Sequence, residues 1–528
     1  MSFFRTTRAR TLGVLAIAAP ALSLGACTDL TVDPYSQIPA DQFFQTEEEV
    51  NAALAPIYAQ LRDALTNVNF HALSQVSSDE NIIPTRGTDW GDQGEPLQIH
   101  LHTWTAQHSW LNATWNGAST GIARANGVLA ALETADVPNK ETTVAEVRAL
   151  RAFYYYLLLD LFGRAPLIGD EEGEFLPDPN DPPPAETRQA VFEFVVAELE
   201  DVRDQLPAQQ AQTGRFGSDV VSALLANLYL NAEVYGGEVT ASGLQRGASR
   251  WDEAFSYADG LITSGRYSLA DDYFSVFAVN NQDNPEHIMV VQHLNDQGLG
   301  VSFVNRALHY NSTNVGAWNG FSTLAETYQA FDGDPRQAAF LQGPQDNLIT
   351  GEPALDRQMN RLDFTLDFEK RTNPSTEDIF DAADYAGVRP YKFPADPDET
   401  NGNHSNDYPF FRLGEMYLIR AEAAFELGRT GEALADINAI RTRAGADPLE
   451  AVTREDILRE RLLELNWEAR RRQDLIRADE SVSFGTGSGN LFTRGWQYKT
   501  QSDPFRVVFP IPQQQINANP MLSQNAGY

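Results

Sequence analysis

Cysteine is almost absent from this 528-residue chain: Cys27 is the only one. No intrachain disulfide can form, although an exported protein would be free to use one, and no paired-cysteine metal site is available. Lysine is scarce too. Only Lys140, Lys370, Lys392 and Lys499 stand among the 39 basic residues, so positive charge is carried almost wholly by arginine. Those bases are outnumbered by 73 acidic residues, giving a formal net charge of −34. Such a surface repels phosphate backbones and anionic lipid heads, so no nucleic-acid partner is expected. After residue 27 no apolar run is long enough to span a bilayer. At 42% hydrophobic residues the chain can bury a core, and its length calls for two or more packed lobes.

What is present begins with Arg5, Arg8 and Arg10, then an apolar run from Leu12 to Leu24 broken only by small residues and Pro20. This is the order of a secretory signal, too short to cross a membrane and stop there. Its end, Leu24-Gly25-Ala26-Cys27, is similar to a bacterial lipoprotein signal, in which the cysteine sulfur takes lipid and becomes the new N-terminus. The alternative is an ordinary signal with a chance cysteine nearby, but the one thiol falls where acylation needs it. Removal of residues 1–26 takes away three arginines and no acids, so −34 becomes −37. Residues 27–42 contain Pro34, small polar side chains and no periodicity, and read as an extended tether from the lipidated Cys27.

Helical patterns dominate residues 43–269. Val50, Ala53, Leu54, Ile57, Tyr58 and Leu61 recur with the period of an amphipathic helix over 46–65. Further helices are predicted over 116–132, 144–161 and 190–206, the last ending at Pro207, with a non-helical Pro/Asp loop from Pro177 to Pro184. Tyr154, Tyr155, Tyr156 and the leucines after them make the helix over 144–161 too apolar for exposure, so it should be central and buried. From Ala421 the chain shows Ala424, Gly428, Ala433, Ile437 and Ile440, spaced by 3, 4, 5, 4 and 3 residues. These are the small and apolar positions of a tetratricopeptide unit. Ala226 to Tyr229 with Ala254, Ala258 and Leu261 repeats the pattern around an insertion from Gly236 to Arg250. Residues 270–410 are rich in Asn, Gly, Pro and Asp, with short apolar runs such as Ile288 to Val291, and read as loops with a few strands. The expected fold is mostly α: tetratricopeptide-like helical hairpins form a platform, and the irregular middle region carries the variable face.

Several ordered segments point further. They are Glu146-Val147-Arg148-Ala149-Leu150-Arg151-Ala152-Phe153-Tyr154-Tyr155-Tyr156, running to Asp160-Leu161-Phe162-Gly163-Arg164-Ala165-Pro166, and Phe411-Arg412-Leu413-Gly414-Glu415-Met416-Tyr417-Leu418-Ile419-Arg420-Ala421-Glu422-Ala423. Arg459 to Leu465, Arg472 to Leu475, Phe509-Pro510-Ile511-Pro512 and Gln524 to Tyr528 follow, with shorter echoes at Ser78-Asp79-Glu80 and Phe331 to Arg336. Together, in this order, they resemble the SusD/RagB family of outer-membrane nutrient-binding lipoproteins over essentially the whole chain. Physically, Arg412, Glu415, Arg420 and Glu422, and likewise Glu460, Arg461, Glu464 and Glu468, could pair along helix surfaces, so these motifs read as scaffold. The resemblance implies a helical N-terminal region (43–269), a loop-rich ligand face (270–410) and a C-terminal helical region and tail (411–528). It also implies a noncatalytic lid at the outer face of the outer membrane. There it would capture an oligomer, most often a glycan, and pass it to a SusC-like TonB-dependent transporter, with no cofactor.

A glycan site needs exposed aromatic faces edged by planar polar side chains. Two loops offer them. The first supplies Arg86, Asp89, Trp90 and Asp92; the second, His309 to Asn319, supplies Tyr310, Asn311, Asn314 and Trp318. For Trp90 and Trp318 ligand stacking and core packing both stay open. Trp104, Trp110 and Trp115 read as helix packing, and Trp467 as a scaffold aromatic under Arg470 or Arg471. His100, His102 and His108 resemble a metal cluster only by count; alternation would put the first two on one face of a strand, as hydrogen-bonded or solvated groups. Asp178, Asp181, Asp332 and Asp334 could ligate calcium but fit no twelve-residue loop and read as solvated. The acidic surface suits neutral oligosaccharides or cationic peptides better than anionic polymers. Two other readings remain: a helical-repeat scaffold lipoprotein without a small ligand, and a surface glycoside hydrolase needing two carboxylates across a cleft.

Overall fold

From Ala149 to Phe162 every residue of the helix Lys140–Phe162 is buried, as a helix apolar on all sides must be. The computed structural model describes residues 46–65, 69–169, 175–178, 181–478 and 490–528, so the signal, Cys27 and the tether lie outside the described residues. The central helix is flanked by Ser109–Thr134 on one side and Arg188–Arg203 on the other, and Glu47–Leu65 packs on Ser109–Thr134. The first crossing is close. A Cβ at Gly121 would lie 2.5 Å from the Tyr154 ring, so only glycine fits there, and the Tyr154 hydroxyl donates to the Ile57 carbonyl at 2.6 Å. Side-chain caps close the helix starts: Thr187 accepts from the Ala190 amide, and Thr453 with Asp456 forms a capping box.

The hairpin series continues through Ser218–Leu230, Trp251–Thr263, Leu413–Glu426 and Thr430–Arg443, each packed on the next. The insertion at Gly236 to Arg250 is a β-hairpin pairing Glu238–Thr240 with Gly243–Gln245. The fold is thus mostly helical and built of tetratricopeptide-like pairs. The strands among the described residues form six two-stranded sheets. One of them, His287–Val291 against Tyr408–Arg412, joins the irregular middle of the chain to the C-terminal helices, because Leu413 opens the next helix. No described helix is long and apolar enough to cross a membrane.

The arginine-rich motifs differ from expectation. Most of their charges are buried, with Arg420 and Glu422 half-buried, and they bridge separate elements instead of running along a helix surface. Arg412 contacts Glu464 at 2.7 Å, Glu468 at 2.7 Å and Glu286 at 3.2 Å, and Arg443 pairs with Glu286 and Glu464. Arg336 reaches Glu460 and Glu464, and Lys392 reaches Glu468 at 2.6 Å. Burial opposes ionisation of Glu464, yet Arg443, Arg412 and Arg336 outweigh it and hold its pKa far below the carboxylate range. Glu415 and Glu422 pair with Arg470 and Arg477, and Arg420 with Asp436 and Asp259. The network clamps the loop-bearing middle region, through residues 286, 336 and 392, onto the C-terminal helices.

Two further expectations need correction. Trp467 is buried, but it packs edge-on against His71, Phe303 and Phe321, whereas Arg470 lies over Phe410 and Phe411. His100 ends the helix Glu95–His100 and lies in no strand. Its ring nitrogens meet the Asn81 and Gln497 carbonyls, those of His102 meet Ser502 and the Ser77 carbonyl, and His108 caps the helix Ser109–Thr134. Trp104, Trp110 and Trp115 are buried, and Asp334 is bound by Arg336.

Candidate ligand-binding site

The first candidate loop is a tight, irregular turn. Arg86 and Asp89 exchange main-chain hydrogen bonds across Gly87 (φ 68°), and Trp90, Asp92 and Gln93 also hold positive φ. The second loop follows the short helix Phe303–Ala307. It is held back to that helix by the Trp318 amide on Asn305 O (2.9 Å) and the Asn319 amide on Leu308 O (2.8 Å). The two loops meet directly. The indole Nε1 of Trp90 donates to the main-chain oxygen of Trp318 at 2.6 Å. Gly320 makes the seat for Trp90: a Cβ there would lie 2.6 Å from the indole.

Two linked groups result. Trp90 and Trp318 share the guanidinium of Arg306, which stands 5.8 Å from the first ring and 4.9 Å from the second. Next to Trp90 in the chain, the Asp89 carboxylate accepts from the Tyr310 hydroxyl at 2.5 Å and from Arg357 at 2.9 Å, and Arg357 lies 3.8 Å over the Tyr310 ring. Burial, with the hydrogen bond to Asp89 adding to it, raises the Tyr310 pKa to about 12, so the phenol stays a donor. Trp318 is 38% exposed and Trp90 half-buried, so neither indole is sealed in the core. The surface offers aromatic rings overlain by two guanidinium groups beside a carboxylate, with the Trp318 indole partly exposed, a chemistry that can stack on a sugar ring and bond its hydroxyls.

The eight residues singled out from the sequence fare differently. Asp89, Trp90, Tyr310 and Trp318 are brought together. Asn311 lies beside them but turns its amide to the Leu355 carbonyl (2.7 Å), and Asp92 and Asn314 are exposed on the same two loops. Arg86 has to be reassigned. It is buried, and its guanidinium donates to the carbonyls of Asn319, Ala383 and Ala386 and to the Ser322 hydroxyl. Arg389 does the same from the other side, through Asn319, Ser322, Asp384 and Ala386. Both arginines build the floor that holds the two loops together, which leaves Arg86 nothing to offer a ligand.

Arg306 and Arg357 were missed. Arg306 lies outside both polar loops, and nothing local marks it as a site residue. Its Nε is buried with no hydrogen-bond partner, and no carboxylate among the described residues pairs with it. Burial lowers its pKa to about 10, so it remains charged at neutral pH. Arg357 is placed by its own amide, which donates to Asp384 at 2.8 Å. Burial disfavours the Asp384 anion, but bonds from His309 and the Arg357 amide prevail and hold its pKa at about 2. Beside this group opens a cleft of about 700 Å³ whose wall includes Asp356, Asp367, Glu369, Glu377 and Tyr385. Glu369 accepts from Tyr385, Glu377 from Tyr498 and Asp367 from Gln497.

Known proteins resemble this chain in architecture and, more distantly, in sequence. Residues 285–528 match the model of the SusD family, and residues 30–230 match a family described as starch-binding associating with outer membrane. The starch-binding protein SusD of Bacteroides thetaiotaomicron is 28% identical, over 73% of this chain and 72% of its own. A SusD-like protein of Bacteroides ovatus is 25% identical over 97% of each. Among solved structures, surface glycan-binding protein A from Bacteroides uniformis has the same fold, with a TM-score of 0.71 at 23% identity over 91% of this chain and 99% of that one. The protein of that name from Bacteroides thetaiotaomicron, in complex with laminarihexaose, superimposes with a TM-score of 0.68 at 21% identity over 91% and 99%. The two family models between them take in both the helical N-terminal part and the arginine-clamped C-terminal part, and the chain belongs to the SusD/RagB family.

Proposed function

We propose that this protein is a surface lipoprotein of the outer membrane, anchored through Cys27, that captures an oligosaccharide and hands it to a SusC-like TonB-dependent transporter. The observation that carries the reading is the exposed Trp318 face, joined to Trp90 and flanked by Tyr310, Asp89, Arg306 and Arg357. Aromatic faces of this kind gain from apolar C–H surfaces, and the bordering charges fix ring orientation through hydroxyls. Relatives named for starch and glycan binding support a sugar over a peptide as ligand. Capture is reversible and leaves the polymer intact, a reading supported by relatives named for binding; of the acids in the neighbouring cleft, Glu369, Glu377 and Asp367 are engaged by Tyr385, Tyr498 and Gln497.

The test is calorimetric titration of the full chain in detergent with a panel of oligosaccharides and peptides, combined with an assay for new reducing ends. Saturable binding of at least one oligosaccharide without cleavage is expected. A panel that shows no binding, or that binds only peptides, refutes the glycan reading. Replacing Cys27 with Ser should release the chain from membranes, and a large channel protein should co-purify with the wild type; retention of the variant or a lone chain would contradict the anchor or the partnership.

A further inference from the structure

The glycan platform carries one cation whose partner is missing. The chain has 73 acidic and 39 basic residues, so a half-buried arginine at a candidate site that faces no described carboxylate calls for a physical reason. Arg86 and Arg389, next to the platform, have such a reason, since carbonyl and hydroxyl oxygens take up their guanidinium groups. Arg306 has none. No described carboxylate lies within ion-pair distance of it, its Nε is buried without a partner, and its remaining contacts are the faces of Trp90 and Trp318. Asp89 does not neutralise it, because that carboxylate is shared by Arg357 and Tyr310. Asp92, on the same loop, is exposed and screened by water. The arginine is also fixed in place: its main-chain oxygen accepts from the Gly320 and Phe321 amides at 2.6 and 3.1 Å.

A planar guanidinium 4.9 Å from the centre of an exposed indole can pair with an oxyanion carried by a ring stacked against that indole. The net charge of −34 argues for neutral or cationic ligands only at long range. At physiological salt, charges more than about 8 Å away are largely screened, so the local cation decides what seats beside Trp318. We infer that the ligand is an acidic oligosaccharide, whose carboxylate or sulfate group pairs with Arg306 while an adjoining sugar face stacks on Trp318. This rests on the glycan reading above and narrows it to a chemical class.

The experiment is titration of the full chain with three probes of equal length: a neutral oligosaccharide, one bearing uronate carboxylates and one bearing sulfate esters. At least one acidic probe is expected to bind about tenfold tighter than the neutral one or better. Arg306→Gln should lower acidic-probe affinity about tenfold more than neutral-probe affinity, so that the preference is lost. A preference confined to the uronate or to the sulfated probe identifies the oxyanion. Acidic probes that bind no tighter than the neutral one, with Arg306→Gln silent, overturn the inference and leave the glycan platform standing. Absence of binding by all three overturns both. Should Arg306→Gln fail to fold, the wild type decides: acidic-probe affinity must fall as salt is raised while neutral-probe affinity holds, and equal insensitivity of the two overturns the proposal.

Discussion

The indole N–H of Trp90 donates to the main-chain oxygen of Trp318 at 2.6 Å, joining two loops 228 residues apart. With the Tyr310–Asp89 and Arg86–Asn319 bonds it makes the candidate platform one unit. Trp90→Phe keeps an aromatic ring and removes the donor, and should weaken oligosaccharide binding about two- to tenfold, the worth of one hydrogen bond. Trp318→Ala removes the exposed face itself and should cost about tenfold or more. Titration of both variants checks this order; equal affinities for wild type and Trp318→Ala would contradict it.

Gly320 tests the same seat from below. Alanine there would place a methyl carbon 2.6 Å from the Trp90 indole and 3.0 Å from the Arg306 carbonyl. Overpacking of this kind costs about 1–3 kcal/mol. Gly320→Ala should therefore lower the melting temperature, shift tryptophan emission and weaken binding together. A variant that melts and binds like wild type would show that Trp90 does not rest on that backbone.

The helices were readable because their signal is local. The apolar period over 46–65 and the small-residue spacing from Ala421 each lie within a few turns, and the helices Glu47–Leu65 and Leu413–Glu426 follow. The candidate site was readable only in part, because its partners are far apart in sequence. Arg86 sits in a polar, glycine-rich stretch that reads as exposed, yet its guanidinium turns inward to carbonyls near residues 319 and 383–386. Arg306 and Arg357 gain their place only once Trp318 and Asp89 are folded against them. The charged run around Arg412 suggested helix-surface pairs, but its partners Glu286, Glu464 and Glu468 come from other elements and are buried.

That burial makes Arg412 a sharp test of the clamp. Arg412→Ala would take the shared cation from the buried carboxylates of Glu464 and Glu468, leaving Arg443 and Arg336 on the first and Lys392 on the second, a loss of about 3–5 kcal/mol. The half-exposed pair of Arg361 with Asp346 is the control, and Arg361→Ala should cost about 1 kcal/mol or less. Denaturant unfolding compares the two. Similar losses would mean that the buried network does not hold the loop-bearing region.

Acid should destabilise the fold through its histidines. All eight have pKa values pushed down, chiefly by burial: His71 and His293 to about 3, and His100, His287 and His404 to about 4. Above pH 6.5 the rings are neutral in both states. As pH falls below 6.5 the unfolded chain takes up protons that the folded chain refuses, so stability declines toward pH 4, by about 1.4 kcal/mol per pH unit for each such ring. Glu80 and Asp407, raised to about 8 and about 6 by burial, act in the opposite sense but are fewer. Melting temperatures between pH 7 and 4.5 should therefore fall steadily; a flat or rising profile would contradict the neutral buried rings.

A crystal structure of the chain with its tightest-binding oligosaccharide tests the central claim most directly. The account predicts a sugar ring lying flat against the exposed face of Trp318, with Tyr310 and the Arg306 guanidinium at its edges. A saccharide bound elsewhere, with the Trp90–Trp318 pair untouched, would contradict it.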